Sequence, residues 1–223
     1  IQEKTSGDLP EGCNDSFVFN DRLWVLYGSR EEDGIKAKLW NSINGIEWQE
    51  VTLSTSIDAP HFWTKPVIFK GRLYFYAQIF NEETTLIWSS SDGIEWRSEQ
   101  FSPALYLSPF TYKDKMLSFT DGFIWSSEDG IQWVKSKETE FSREMPIVHQ
   151  EKLWLRKDQG GEDSYNPYAE IWTSTDGENW KNERLEGSIY TENDFLGFAD
   201  LLSFDDKLWI IAPNLGGFYT YTS

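Results

Sequence analysis

One ten-residue pattern occurs four times in this sequence, and no other feature constrains the fold as strongly. Each copy joins two β-rich runs through an Asn-Gly or Asp-Gly turn, which is typical of a tight β-hairpin. Each copy also ends at a tryptophan, and the copies lie at 39–48, 87–96, 124–133 and 171–180. Because internal repetition implies stacked supersecondary units, the chain is predicted to fold from copies of one small sheet.

A second pattern precedes each copy and occurs once more near the end of the chain. It consists of two apolar runs joined by a short charged turn, at 17–25, 67–75, 110–118, 147–155 and 202–210. Two hairpins make a four-stranded antiparallel sheet, and five units of about 45 residues match the size of propeller blades. We therefore predict an all-β, single-domain, five-bladed β-propeller with blades at approximately 5–51, 52–99, 100–136, 137–184, and 185–223 together with 1–4.

The fifth unit contains three of its four expected strands. Residues 218–223 align with 171–176, and the sequence ends where the next turn is expected. Residues 1–4 resemble 131–134, the start of an outer strand. We expect this N-terminal segment to join the last blade, because ring closure removes exposed sheet edges.

Composition argues against several classes of partner. The chain carries 37 acidic and 20 basic residues, and a net charge of −17 opposes binding to a phosphate backbone or an anionic membrane. No apolar run reaches the ~18 residues that a membrane helix needs. Cys13 is the only cysteine and the chain has two histidines, so neither residue type predicts a metal site. We expect a monomer with no cofactor, no metal, no nucleic-acid partner and no membrane insertion.

The hairpin turns resemble a known repeat. The Ser-x-Asp-Gly-x-x-Trp copies at Ser90, Ser127 and Ser174 resemble a shortened Asp-box of bacterial sialidase-like (BNR) repeats. The complete unit is similar to kelch-like propeller repeats, although Asn44 replaces the aspartate in the first copy and the kelch Gly-Gly pair is absent. This resemblance implies a propeller fold and leaves the activity open, since propellers host many unrelated functions.

The repeated carboxylates are interpreted as structural. Asp92, Asp129 and Asp176 are expected to accept hydrogen bonds from turn N–H groups, while the tryptophans fill the space between blades. A binding site does not normally repeat once per blade. His149 falls within a strand pattern, where a structural role is expected as well.

Connection lengths indicate which face of the propeller is functional. The turns between strands one and two, and between three and four, are tight. The remaining connections are long and emerge on one side, at 28–36, 54–64, 79–84, 101–107, 137–143, 158–168 and 185–198. Because loops on a rigid scaffold carry function, this face is the predicted binding surface.

Residues just before the inner strands are predicted to converge on the central channel of this face. They are Asp15, Lys65, Ser108, Met145 and Asp200, with Arg143 and Glu144 directly before Met145. These residues differ from blade to blade, as one off-axis site would require, although drift of the loops would also produce such variation.

Aromatic residues lie in or beside the same long connections. Trp63, Tyr106, Tyr165 and Tyr168 could stack on a sugar or anchor a protein partner. Alternatively, they cover the mouth of the channel as part of the core.

A further resemblance concerns the five-bladed glycosidases that act on arabinans, xylans or fructans. Residues 15–18, Asp-Ser-Phe-Val, are similar to their Asp-Pro-x-Val start, and residues 144–146, Glu-Met-Pro, to their Glu-Gly-Pro acid. The resemblance implies that Asp15 and Glu144 form the carboxylate pair such enzymes use. Ser108 stands where their third-blade aspartate would tune the acid.

Two functional hypotheses follow. The first is a non-catalytic recognition module that binds carbohydrate or a cell-surface or protein partner on the long-loop face. The alternative is a glycoside hydrolase that uses Asp15 and Glu144. The aromatic, acidic composition and the habits of the resembled families favour an extracellular, periplasmic or cell-surface location, whereas the single Cys13 leaves a cytoplasmic one open.

Overall fold

The fold is an all-β propeller built from antiparallel sheets. The computed structural model describes residues 13–31, 34–51, 62–63, 65–78, 84–142, 144–159, 168–183, 200–212 and 217–221. Within these ranges, all regular secondary structure is β-strand. The strands form five sheets in chain order. The predicted fold class is confirmed.

Each sheet consists of strands that are consecutive in the chain. Sheet 1 contains β1 (Cys13–Phe19), β2 (Arg22–Glu31), β3 (Gly34–Ser42) and β4 (Gln49–Val51). Sheet 2 contains β5 (Phe62–Trp63), β6 (Val67–Phe69), β7 (Arg72–Gln78), β8 (Thr85–Ser90) and β9 (Arg97–Phe101), and both β5 and β6 pair with β7. Sheet 3 contains β10 (Phe110–Tyr112), β11 (Lys115–Thr120), β12 (Phe123–Ser127) and β13 (Val134–Glu138). Sheet 4 contains β14 (Ile147–His149), β15 (Lys152–Gln159), β16 (Tyr168–Ser174) and β17 (Lys181–Glu183). Sheet 5 contains β18 (Asp200–Phe204), β19 (Lys207–Ala212) and β20 (Gly217–Tyr221).

The tight turns between the first two strands of each repeat form as predicted. Both central residues have positive φ in the pairs Asn20-Asp21, Lys70-Gly71, Gln150-Glu151 and Asp205-Asp206. This backbone matches the right-handed twist of a two-residue hairpin, and Asn, Asp and Gly adopt it at low cost. The strand predicted at 1–4 lies outside the described residues.

Several predicted long connections are partly strand, and two of them show this most clearly. Residues 28–31 and 34–37 continue the ladder between β2 and β3, with Ser29 opposite Lys36 and Glu31 opposite Gly34. Phe62–Trp63, predicted to be loop, form β5 and pair with Gln78 and Ala77. Pairing satisfies the backbone N–H and C=O groups of these segments, and this requirement outweighs their loop-like composition.

The chain divides into two compact units, one of residues 1–111 with 127–133 and one of residues 112–126 with 134–223. The first unit has a continuous apolar core between sheets 1 and 2. Its buried members are Phe19, Trp24, Leu26, Leu39, Leu73, Phe75, Ala77, Leu86 and Trp88. In the second unit, Phe119, Phe141 and Trp180 lie with ring centroids 5.1 to 5.6 Å apart.

The turn glycines of sheets 2, 3 and 4 each pack against the preceding sheet, whereas Gly45 of sheet 1 lies against Leu23 of its own sheet. A Cβ on Gly93 would lie 2.3 Å from Cη2 of Trp24, a fully buried side chain on the second strand of sheet 1. Gly130 meets Tyr74 of sheet 2 in the same way, at 2.6 Å, and Gly177 meets Leu117 of sheet 3 at 2.3 Å. Each of these three turns is therefore a socket for a side chain of the preceding sheet, and only glycine leaves room for it.

Replacing Gly93 by alanine should destabilise the protein far more than the same change at Gly71. Both glycines have positive φ, but nothing lies within 4 Å of a Cβ on Gly71. We expect Gly71→Ala to cost about 1 kcal/mol from backbone strain, and Gly93→Ala about 3 kcal/mol because it also overpacks Trp24. Urea denaturation monitored by fluorescence measures both free energies of unfolding, and equal losses would contradict the socket.

Candidate functional site

The repeated carboxylates serve the turns, as predicted. Oδ1 of Asp92 accepts hydrogen bonds from Ile94 N at 2.8 Å, Glu95 N at 2.9 Å and Ser90 Oγ at 2.9 Å. The Ser90 hydroxyl in turn accepts from Gly93 N at 2.8 Å. The same network recurs around Asp129, Asp176 and, with an amide in place of the carboxylate, Asn44.

These bonds stabilise the ionised form of the three aspartates. At Asp176, burial alone would raise the pKa of the carboxyl. Hydrogen bonds from Asn179 N, Asn179 Nδ2, Glu178 N and Ser174 Oγ outweigh that effect, so the pKa of Asp176 lies well below its ordinary value. The pKa values of Asp92 and Asp129 are lowered through equivalent bonds. Carboxylates held in this way are turn caps rather than acids or bases for chemistry.

Asp15 belongs to the first unit and lies at an irregularity in β1. Cys13 is opposite Tyr27 and Asp15 is opposite Leu26, so one extra residue is inserted between the two pairs. Oδ1 of the half-buried Asp15 accepts a hydrogen bond from Ser16 N at 2.8 Å. A β-bulge of this kind re-aims a side chain, and bulges are frequent beside functional sites.

Glu144 belongs to the second unit and lies in the connection before β14. Its carboxylate is half-buried and accepts a hydrogen bond from Ser142 N, while the neighbouring Met145 is 49% exposed. Because Asp15 and Glu144 are in different units, their pairing stays a prediction.

Tyr106 and Ser108 lie in the connection that precedes sheet 3. Leu105 and Leu107 are buried on either side of Tyr106, whose side chain is 38% exposed. Thr85 fixes this segment, because its hydroxyl donates to Leu105 O at 3.2 Å and accepts from Leu105 N at 2.8 Å. The ring of Tyr106 is therefore presented to solvent on a rigid backbone. Ser108 is half-buried.

The remaining predicted site residues are described less fully. Lys65 is exposed and precedes β6. The backbone places Trp63 opposite Ala77, Tyr168 opposite Gln159 and Asp200 opposite Ile211. The side chains of these three residues, together with Arg143 and Tyr165, lie outside the described residues.

Two residues that support the predicted site were not found from the sequence. Thr85 holds the backbone of Leu105 and Ser142 donates to the Glu144 carboxylate, but neither carries a sequence signal that distinguishes it from other hydroxyl residues.

His149 is buried and its Nδ1 lies 2.9 Å from Ser203 Oγ, in keeping with a structural role. Its Nε2 has no hydrogen-bond partner within the described part of the chain. Across the described ranges, no group of three or more His, Cys, Asp or Glu side chains could hold a metal ion. The same ranges contain no helix long and apolar enough to cross a membrane.

Comparison with known proteins supports the fold. No protein-family model and no curated protein matches the sequence, so the resemblance to Asp-box and kelch repeats stays a prediction. The fold is similar to Zg3597, a family 117 glycoside hydrolase from the marine bacterium Zobellia galactanivorans, with a TM-score of 0.51 and 13% identity over 75% of this chain and 66% of that one. It is also similar to an exo-β-1,3-galactanase from Phanerochaete chrysosporium, with a TM-score of 0.52 and 11% identity over 92% of this chain and 58% of that one.

This chain thus spans less than two thirds of the length of either protein. At such low identities, the likeness shows that the chain has a β-propeller fold like that of glycoside hydrolase propellers, and it shows the fold alone.

The turn aspartates predict a specific loss of stability in acid. A carboxyl whose pKa is lower in the folded than in the unfolded chain stabilises the fold above about pH 4, and this contribution disappears as the pH falls through the folded pKa. Asp176→Asn should lower the free energy of unfolding at pH 7 by about 1 kcal/mol and flatten its decline between about pH 5 and pH 2. The reverse substitution, Asn44→Asp, should steepen that decline. Urea denaturation at several pH values measures both slopes, and unchanged slopes would refute the capping role.

Proposed function

We propose that this propeller is a carbohydrate-recognition module that binds its ligand where the inner strands begin. One observation carries the proposal. The side chains at equivalent positions there are accessible to solvent and chemically different, since Asp15 and Ser108 are half-buried and Lys65 is exposed. The turn positions of the same repeats, in contrast, carry nearly identical residues. Residues that vary on an invariant scaffold are expected where one ligand is recognised.

The chemistry of this set suits a sugar. An ammonium group, a hydroxyl and carboxylates supply the donors and acceptors that sugar hydroxyls require, and the outward ring of Tyr106 offers an apolar surface for stacking. The net charge of −17 disfavours polyanionic ligands such as nucleic acids. Similarity of fold to two glycoside hydrolases supports a saccharide ligand without identifying it.

Hydrolysis is a second candidate function, favoured by the burial and hydrogen bonding of the two predicted carboxylates. Asp15 and Glu144 are both half-buried, and each is oriented by a backbone N–H, from Ser16 and Ser142 respectively. In a glycosidase, one carboxyl protonates the leaving oxygen while the other acts as base or nucleophile.

Removal of the exposed ring should weaken glycan binding. We expect Tyr106→Ala, and likewise Trp63→Ala, to lower affinity at least fivefold on a glycan array, since an anchoring aromatic ring contributes about 1 kcal/mol or more. Ile43→Ala, which changes a 71% exposed side chain in a turn of sheet 1, is the matched control and should leave binding unchanged. An array on which the unaltered protein binds no glycan contradicts the proposal and favours a protein partner.

The hydrolase candidate has its own test. Asp15→Asn and Glu144→Gln should each abolish turnover of aryl glycosides or of arabino- and fructo-oligosaccharides while binding survives. Chromatography of the reaction products measures turnover. Absence of turnover by the unaltered protein across this panel eliminates hydrolysis and leaves recognition intact.

A further inference from the structure

A cavity of about 520 Å³ lies within the second unit and is lined in part by Phe141 and Trp180. Strands β12 and β13 of sheet 3 form one wall, and the connection after β13 closes one side. The opposite wall comes from sheet 4, where Trp172 belongs to β16 and Trp180 directly precedes β17. Its volume is within the range of small-molecule sites in proteins.

The aromatic residues of the cavity are held rigidly. Phe141 is 2% exposed and packs edge to face against Trp172 and Trp180, with ring centroids 5.5 and 5.1 Å away. Both indole N–H groups already have acceptors, because Trp172 donates to Glu170 Oε2 and Trp180 to Gly177 O, each at 3.0 Å. The two indoles are half-buried, so they can offer ring surface to a ligand without requiring a polar partner from it.

Charged groups surround this aromatic wall and balance one another. Lys157 Nζ donates to the Glu140 carboxylate, and Lys115 Nζ lies 3.8 Å from Glu178 Oε1. This leaves Lys137 and Glu138, adjacent residues of opposite charge at the end of β13.

Lys137 Nζ donates to Asn179 Oδ1 at 2.7 Å, whereas the Glu138 carboxylate has no partner among the described residues. The wall therefore presents donors and acceptors with little net charge, which favours a neutral polyhydroxyl ligand over an ionic one.

The connection that lines the cavity has fewer buried residues than another connection of equal length. The eight residues 102–109, between β9 and β10, bury Leu105, Leu107 and Pro109. Of the described residues among 139–146, between β13 and β14, only Phe141 is buried. Among the described residues, the connection between sheets 3 and 4 therefore buries fewer side chains than the connection between sheets 2 and 3.

We propose that this cavity, whose lining includes none of Asp15, Lys65 and Ser108, is a second saccharide site, and that it binds a short neutral oligosaccharide. The faces of Trp172 and Trp180 stack on the C–H face of a sugar ring, while Lys137 and Glu138 bind its hydroxyl groups. Neither indole changes its own hydrogen bond when the ligand enters, so the site is preorganised.

Neutral trisaccharides test the proposal directly. Isothermal titration calorimetry with β-1,3-galactotriose, xylotriose and mannotriose should detect binding of at least one of them, and trigalacturonate should bind more weakly. Lys137→Ala and Glu138→Ala should each weaken that binding about tenfold, since each removes hydrogen bonds to the ligand. Gln100→Ala is the control, because Gln100 pairs with Leu86 on the exposed outer strand of sheet 2 as Glu138 pairs with Phe123 in sheet 3.

A second pair of variants tests the aromatic wall. Trp180→Ala should reduce quenching of tryptophan fluorescence by the bound trisaccharide and leave the part that arises from Trp172. Trp96→Ala should retain both binding and quenching, because Trp96 makes the same turn hydrogen bond in sheet 2, to Gly93 O at 3.0 Å, outside the cavity. If Trp180→Ala fails to fold, the Lys137→Ala and Glu138→Ala variants still test the cavity site, because both side chains are exposed on β13.

The outcomes separate the two sites. Binding that Lys137→Ala and Glu138→Ala weaken, and that Tyr106→Ala leaves intact, supports the cavity site. Binding that Tyr106→Ala removes, and that the β13 variants leave unchanged, overturns the cavity site and retains the proposed function. Failure of every neutral trisaccharide to bind also overturns it.

Discussion

The structure depends on one small element that performs two tasks, the Ser-x-Asp-Gly turn between the third and fourth strands of sheets 2, 3 and 4. Within its own sheet, the aspartate caps the turn by accepting two backbone N–H groups, as Asp92 does from Ile94 and Glu95. Toward the preceding sheet, the glycine leaves a gap that a second-strand side chain fills, as Trp24 does at Gly93. Because one backbone conformation serves both purposes, formation of a turn is coupled to packing between sheets.

The contacts around this socket vary while the geometry is kept. Trp96 and Trp180 donate their indole N–H to the turn carbonyls of Gly93 and Gly177. At the turn of sheet 3, the equivalent carbonyl of Gly130 accepts instead from Tyr76 of sheet 2 at 2.8 Å. Trp133 Nε1 is left without a partner in the described part of the chain. The repeat therefore constrains the backbone and the volume of the junction more strongly than its individual hydrogen bonds.

Much of this fold was predictable because its signals are local. The Asp-Gly and Asn-Gly dipeptides indicate backbone with positive φ, and alternating apolar residues indicate strands, so the hairpins and the all-β class follow from sequence. The extension of β2 to Glu31 was missed because a charged segment resembles a loop until its ladder partner is known. The cavity was missed for a related reason. Trp180 was interpreted as filling the space between blades, and only tertiary structure shows that it lines a cavity between sheets 3 and 4.

Hydrogen exchange of the turn amides tests the coupling of turn and packing most directly. Gly93, Gly130 and Gly177 each donate their N–H to a serine hydroxyl at 2.8 Å and are buried under a neighbouring side chain. Their amides should exchange as slowly as that of Phe75 in the core, and through the same cooperative opening. Fast, independent exchange at these three positions, at the rate of the exposed turn residue Gly71, would contradict the account.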